Sequence, residues 1–222
     1  MMNLETIVFL LASLLGGYLL GSLNASIIIG KCLGVDIRNS GSKNAGMTNA
    51  LRVLGKKVAA LVFFFDLLKA VVAVLLARFI AGAIFPEGAE IARYAQYMAG
   101  LGAVLGHNFP VYFGFRGGKG ILASWGVIMI LDYRIALLLL LVFVLVVSVT
   151  RYVSLASITS AILYPLFVIA FNVNLKEPTV PYYIALSLVV SVLAVYRHRA
   201  NIARLTSGTE SKLGAKADKK ES

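Results

Sequence analysis

Apolar runs of about 20 residues recur along this chain with only short polar interruptions, and that repetition constrains the fold more than any other feature. A helix of that length reaches about 30 Å, the thickness of a bilayer's hydrocarbon core. Hydrocarbon offers no partner to a backbone N–H or C=O, so each segment must pair its own groups, and a helical bundle is the one reasonable class. The expectation is an all-α integral membrane protein, a polytopic bundle of about seven transmembrane helices. The segments are Ile7 to Gly30, Val58 to Ile84, Tyr94 to Val111, Gly120 to Leu131, Ile135 to Thr150, Val153 to Val173 and Tyr182 to Tyr196. The fourth is short: as a helix it spans about 18 Å, which requires extension at its ends, a thinned region or a re-entrant path.

Charge sets the orientation. The interval from Lys31 to Lys57 carries Lys31, Arg38, Lys43, Arg52, Lys56 and Lys57 against the single acid Asp36. Basic loops stay in the cytoplasm, which places the N-terminus outside and the C-terminus inside. Seven crossings then also put Arg116, Lys119, Arg151 and the segment after Arg197 inside; five crossings with a re-entrant hairpin give the same orientation. Residues 1–212 form one transmembrane domain, and residues 213–222 read as a basic cytoplasmic tail, disordered by composition. The net charge of +11 belongs to topology and anionic ligands, because the basic residues flank apolar segments and no nucleic-acid motif is present. Cys32 is the sole cysteine, so no internal disulfide forms, and it is expected to pack near a helix end. His107 and His198 fall in different loops with no metal-ligand spacing, which gives no metal site and no cofactor. Within the second segment Asp66 and Lys69 share a helix face and should pair. Gly17 with Gly21, and Gly100, Gly102 and Gly106, are placed for close helix packing.

Three polar stretches fall on the expected cytoplasmic side. The first, Arg38 to Arg52, combines approachable glycine backbone, small donors and flanking cations, which is what an anion site needs. Ser42, Thr48 and the N–H groups near Gly41 and Gly46 are placed to cradle phosphate oxygens, and Arg52 to grip one with two hydrogen bonds. A plain topology-setting loop is the competing reading; its richness in Gly, Ser, Thr and Asn favours the anion site. The second, Gly114 to Gly120, resembles a nucleotide-binding P-loop only superficially, since Gly120 replaces the Ser or Thr and the upstream glycine spacing is wrong. A glycine-lined turn with Lys119 before a helix remains, either a phosphate site or an ordinary basic turn. In the third, Arg197 to Lys212, His198 and Asn201 are three apart and would face one ligand together.

Together the stretches resemble one family, the bacterial acyl-phosphate-dependent glycerol-3-phosphate acyltransferases (PlsY family). The resemblance runs from Gly21 to about Lys212. It is carried by Gly21-Ser22 with Asn24, by Gly41-Ser42 through Asn44, Gly46, Thr48-Asn49 and Leu51-Arg52, and by Asp66 with Lys69. It continues in Leu105-Gly106-His107 with Phe109-Pro110, in Gly117-Gly118-Lys119-Gly120, and in Arg197-His198 with Asn201, Arg204-Leu205, Gly208, Glu210 and Lys212. The chain departs from the family pattern at Lys43, where glycine is common, at Asn24, where proline is usual, and at Ala70.

The resemblance implies acyl transfer from acyl phosphate to the 1-hydroxyl of glycerol 3-phosphate, releasing lysophosphatidate and phosphate at the cytoplasmic face of the bacterial inner membrane. It gives Ser42, Asn44, Gly46 and Thr48, with Gly41 and Lys43 beside them, to the acyl-phosphate head. Arg52, Lys119, His198 and Asn201 hold glycerol 3-phosphate, with Asn49 orienting it and Gly117, Gly118, Gly120 and Arg204 completing the site. Either His198 or the leaving phosphate accepts the proton; the phosphate is preferred, with His198 positioning. Membrane lipids and a soluble enzyme that makes acyl phosphate are the implied partners. A transporter for phosphate-like anions and an acyltransferase using acyl-CoA or acyl-carrier protein are the competing functions. Against the first stands the near absence of charge in segments five to seven; against the second, no Asp follows either histidine at the required spacing.

Overall fold

The computed structural model describes residues 3–214, and among them the regular structure is entirely helical. The elements are α1 (Leu4–Gly21), α2 (Ala25–Cys32), α3 (Met47–Val53), α4 (Lys56–Ile84), α5 (Ala89–Asn108), α6 (Ile121–Leu131), α7 (Tyr133–Thr150), α8 (Val153–Asn172), α9 (Val180–Arg197) and α10 (Arg199–Thr206). Among the described residues, five stretches are long and apolar enough to cross a membrane: Leu4–Cys32 and helices α4, α7, α8 and α9. Side chains such as Phe64, Phe79, Val149 and Val192 stand exposed on their outer faces, which suits contact with lipid and not with water.

The first apolar segment is not one helix. Ser22 Oγ donates back to Tyr18 O at 2.7 Å, and Asn24 adopts an extended backbone and caps α2 by accepting from Ile27 N–H. The carbonyl freed at Leu23 accepts from the buried Lys69 ammonium at 3.0 Å. Irregular backbone at this depth is tolerated because protein supplies the missing partner. The helix α3 inside the first polar stretch, and the break itself, went unseen in the hydropathy pattern. Cys32 ends α2 and is exposed, not packed as expected.

Small residues set the tightest contact. Gly17 and Gly21 of α1 lie directly on the backbone of Ala99 and Ala103 in α5, while Gly102 and Gly106 of α5 lie on the backbone of Leu14, Tyr18 and Ser22. A Cβ at any of the four would overlap main-chain atoms of the other helix, so two backbones meet where side chains would hold them apart. Gly100 packs instead on Val127 of α6. The expected Asp66–Lys69 pair forms at 2.8 Å, and His107 joins it with Nδ1 3.1 Å from the Lys69 ammonium. His107 is therefore a buried residue in the last turn of α5 and not a loop residue.

Helix α6 has 11 residues, about 16 Å of rise. It starts at Ile121, which lines one cavity, and stops at Leu131; Asp132 after it lies in a second cavity of about 370 Å³ that also takes in Asn172 at the end of α8 and Thr179 at the start of α9. The short helix therefore runs from one cavity to the other. Of the tail, Leu213 and Gly214 are described, and Leu213 N–H donates to Arg151 O at 2.7 Å; residues 215–222 lie outside the described residues.

Candidate active site

The three polar stretches converge on one cavity of about 410 Å³. The first stretch is knotted by Asn49 at the start of α3, whose Nδ2 donates to Ile37 O and Ser40 O, each at 3.0 Å. Its Oδ1 accepts from Ser42 N–H at 2.8 Å. Gly41 is left-handed at φ 59° and lies so close to this amide that a Cβ would strike Asn49 Oδ1. Asn24 adds a tie from below, its Nδ2 donating to Ala45 O at 3.2 Å, so this departure from the family pattern supplies a cap and a brace together. Arg38 pairs with Asp36 at 2.8 Å and donates to Phe113 O at 2.8 Å, which joins the first stretch to the second. The Arg38 hydrogen bond holds the Asp36 carboxyl down at about 2.

The loop so fixed presents Ser42, Asn44, Gly46, Thr48 and Arg52 to the cavity. The Ser42 and Thr48 hydroxyls make no hydrogen bond among the described residues, and Arg52 has only a long contact of 3.4 Å to Ser211 O. Asn49 touches the cavity, but its amide is spent on the loop, which makes it a builder of the site. Lys43 is exposed, does not line the cavity, and holds φ 57°. A lysine therefore occupies the left-handed conformation that favours glycine.

The second stretch divides the same way. Lys119 and Gly120 reach the cavity, whereas Gly117 and Gly118 do not. Those two tuck against the end of α5, where a Cβ at Gly117 would overlap His107 O and one at Gly118 the His107 ring and Ala45 O. Their carbonyls accept from the Arg197 guanidinium at 2.7–3.1 Å, which also lies over the Phe109 ring. The glycines at 117 and 118 thus serve close packing and stand outside the cavity lining.

The third stretch turns at His198 between α9 and α10. His198 is buried, and Nδ1 lies 2.8 Å from Ala194 O. A carbonyl can only accept, so the proton sits on Nδ1 and Nε2 keeps its lone pair. Burial, and next the Lys119 charge, lower the His198 pKa to about 4. Asn201 accepts from the Lys119 ammonium and donates from Nδ2 to Glu210 Oε1 at 2.7 Å. Glu210 also receives Ser154 Oγ at 2.6 Å and Arg204 Nε at 2.6 Å. Burial alone would raise the Glu210 pKa, but these three hydrogen bonds outweigh it and lower it. Arg204 donates from Nε to Glu210 and does not line the cavity. Burial brings Lys119 down to about 8.

Beyond this mouth the cavity continues among α6, α7, α8 and α9, lined by Trp125, Ile128, Leu140, Phe143 and Tyr164. Asp66, His107 and Glu210 also line the cavity. Asp66 was expected only to pair with Lys69, and no place in the site was readable beforehand for the three, nor for the aromatic lining. One signal existed: Ser154, Ser157, Ser160, Ala161 and Tyr164 recur at helical spacing on one face of an otherwise apolar α8.

Fold and site together define a multi-span helical membrane protein in which a mouth with two cations outside any salt bridge among the described residues, Arg52 and Lys119, opens into an apolar groove, the layout for an anionic amphiphile. Residues 11–208 match the glycerol-3-phosphate acyltransferase family, and the chain belongs to that family. Relatives named glycerol-3-phosphate acyltransferase include one from Shouchella clausii, 44% identical over 95% of this chain and 98% of its own. Another, from Clostridioides difficile, is 45% identical over 90% and 94%, and one from Aquifex aeolicus is 43% identical over 87% and 93%. Among solved structures, PlsY, an integral membrane glycerol 3-phosphate acyltransferase, is similar in its glycerol 3-phosphate form with TM-score 0.78 and 38% identity, covering 95% of this chain and 96% of that one. Its lysophosphatidic acid form gives TM-score 0.76 at 39% identity, covering 92% and 95%. The chain is accordingly an integral membrane acyltransferase of that family.

Proposed function

We propose that the protein transfers a fatty acyl group from acyl phosphate to the 1-hydroxyl of sn-glycerol 3-phosphate, giving 1-acyl-sn-glycerol 3-phosphate and phosphate. This is the first acylation of bacterial phospholipid synthesis, carried out by a single domain over residues 1–212. The domain crosses the inner membrane seven times, N-terminus outside and C-terminus inside, with its site on the cytoplasmic face. The observation that carries the reading is the cavity itself: Arg52 and Lys119 at a polar mouth, a neutral His198 lining the same mouth and an apolar groove behind.

The chemistry follows from charge. Two dianions must approach, and the cations at the mouth offset their repulsion. Ser42, Asn44, Gly46 and Thr48 hold the acyl-phosphate head. Arg52, Lys119 and Asn201 hold glycerol 3-phosphate, whose 1-hydroxyl is first oriented by donating to His198 Nε2. As the hydroxyl oxygen attacks the acyl carbonyl carbon, its O–H swings from Nε2 to a phosphate oxygen of the donor, the bond from that carbon to the bridging phosphate oxygen breaks, and the proton leaves on the phosphate. A histidine with a pKa of about 4 is a weak base but a good acceptor for orienting a hydroxyl, which favours the phosphate as final proton carrier. Acyl phosphate is already an activated anhydride, so positioning supplies much of the rate. A soluble enzyme that phosphorylates fatty acids or exchanges acyl groups with phosphate would supply the donor.

The test is a purified, membrane-embedded sample given glycerol 3-phosphate with palmitoyl phosphate, and palmitoyl-CoA in a parallel reaction, with Ser42→Ala as control. Stoichiometric phosphate and lysophosphatidate from palmitoyl phosphate alone, lost in the variant, is the expected result. Turnover with palmitoyl-CoA alone would overturn the donor assignment, and none with either would overturn the reaction.

A further inference from the structure

The inner end of the groove is closed by tyrosines. Tyr164 lines the cavity from α8, is buried, and lies 6.3 Å edge-to-face from Tyr183 of α9. Tyr183 in turn stacks on Tyr97 of α5, centroids 5.5 Å apart and planes within 7°. Tyr97 and Tyr183 line the second, polar cavity, which Tyr164 does not reach. The aromatic stack is therefore a partition with an apolar groove on one side and a polar recess holding Asp132 and Arg134 on the other. The neighbouring helices agree on the level: the groove lining stops at Ile128 of α6 and Val190 of α9, and the recess lining begins at Ile130 and Tyr183.

The depth is set along α8. Ser154 touches Glu210 at the polar mouth, and Tyr164 is ten residues further on, about 15 Å at 1.5 Å per residue. Between them the lining residues of α8 are small: Ser157, Ser160 and Ala161. An alkyl chain lying against this face meets no bulk until the Tyr164 ring. A longer chain would have to push the ring into Tyr183 or place methylenes in the polar recess, and both are unfavourable.

We propose that Tyr164, backed by Tyr183, is the floor that sets the longest acyl chain the enzyme accepts, with Ala161 one turn nearer the mouth as the position where the groove can be shortened. The proposal rests on the acyl-transfer reading above but not on the identity of the donor.

The experiment compares lauroyl, myristoyl, palmitoyl and stearoyl phosphates on the full chain and on Tyr164→Ala, Ala161→Phe and Tyr164→Phe. Tyr164→Ala should move the optimum to a longer chain, raising the rate of the longer donor relative to the wild-type optimum roughly tenfold, the discrimination a methylene commands in an apolar pocket. Ala161→Phe should move it shorter, and Tyr164→Phe, which keeps the ring, should leave it in place. An optimum unchanged in both Tyr164→Ala and Ala161→Phe overturns the proposal; should Tyr164→Ala not fold, Ala161→Phe decides alone. Thermal stabilisation of the same proteins by lysophosphatidates of the four chain lengths gives a readout free of the donor. If no acyl phosphate turns over, the donor reading fails, and these binding optima still either follow the variants, which supports the floor, or ignore them, which overturns it.

Discussion

Two charged clusters of similar make-up sit in this molecule, and they differ in what they leave unused. At the cavity wall, where Asp66 and His107 touch it, Asp66, Lys69 and His107 form a group closed by its own bonds: the ammonium meets the carboxylate at 2.8 Å, the Leu23 carbonyl at 3.0 Å and the imidazole at 3.1 Å. At the mouth, Glu210 gathers Ser154, Asn201 and Arg204, and Asn201 holds Lys119. Here the chain of bonds ends on a cation facing the cavity, with the His198 lone pair beside it. A closed cluster fixes a backbone break in a low-dielectric interior. An open one holds a charge in place for a ligand.

Removing Lys119 tests the open cluster most directly. Lys119→Ala should lower kcat/KM by about a hundred- to a thousandfold, the loss expected when one oriented donor to a developing charge is deleted, with the thermal midpoint nearly unchanged. Its acid form is the one that binds an anion, so kcat/KM should fall as the pH rises through about 8. Lys119→Arg should carry that alkaline limb higher, and a limb that stays put would assign it to another group.

The closed cluster should respond in the opposite sense. Asp66→Asn leaves the Lys69 charge without its partner in the interior, at a cost of about 3–5 kcal/mol, read as a large drop in the thermal midpoint. Molecules that remain folded should keep their KM for glycerol 3-phosphate; a selective rise in KM with stability intact would erase the distinction between the clusters.

His198 carries a smaller effect with a defined pH window. Its folded pKa of about 4 lies below the ordinary 6.5, so the unfolded chain takes up the proton first. Stability is full above about pH 6.5 and is lost as the pH falls toward 4, by up to about 3 kcal/mol. His198→Gln should flatten this acid slope in melting curves taken between those limits. The smallest effect is expected at the loop. Lys43→Gly relieves a left-handed lysine at the expense of chain entropy, for a net gain of about 0.5 kcal/mol seen as a rise of a degree or two in midpoint with unchanged turnover.

Much of this was legible in the sequence where the signal is local. Helices α7, α8 and α9 follow their apolar runs to within two residues, because a segment in hydrocarbon must satisfy its own backbone. Asp66 and Lys69 pair because three residues bring them to one helix face, and Gly17, Gly21, Gly102 and Gly106 interlock because only small residues allow backbones so close. The convergence of Ser42, Lys119 and His198 was expected from shared loop chemistry and family likeness. What went unseen was the service role of Gly117, Gly118 and Arg204, each spent on a neighbour whose position no spacing announces.

Taken by itself, the sequence determined that this chain is a helical membrane protein with phosphate-like loops gathered at one end, since hydropathy, charge and loop composition act over a few residues. Only the tertiary structure decided that the first segment breaks, that His107 completes the Asp66–Lys69 pair, and that Glu210 organises the mouth. The same holds for the groove and the tyrosine partition: their residues come from different helices, scattered from Tyr97 to Val190, and only packing brings side chains so distant in the chain to one wall.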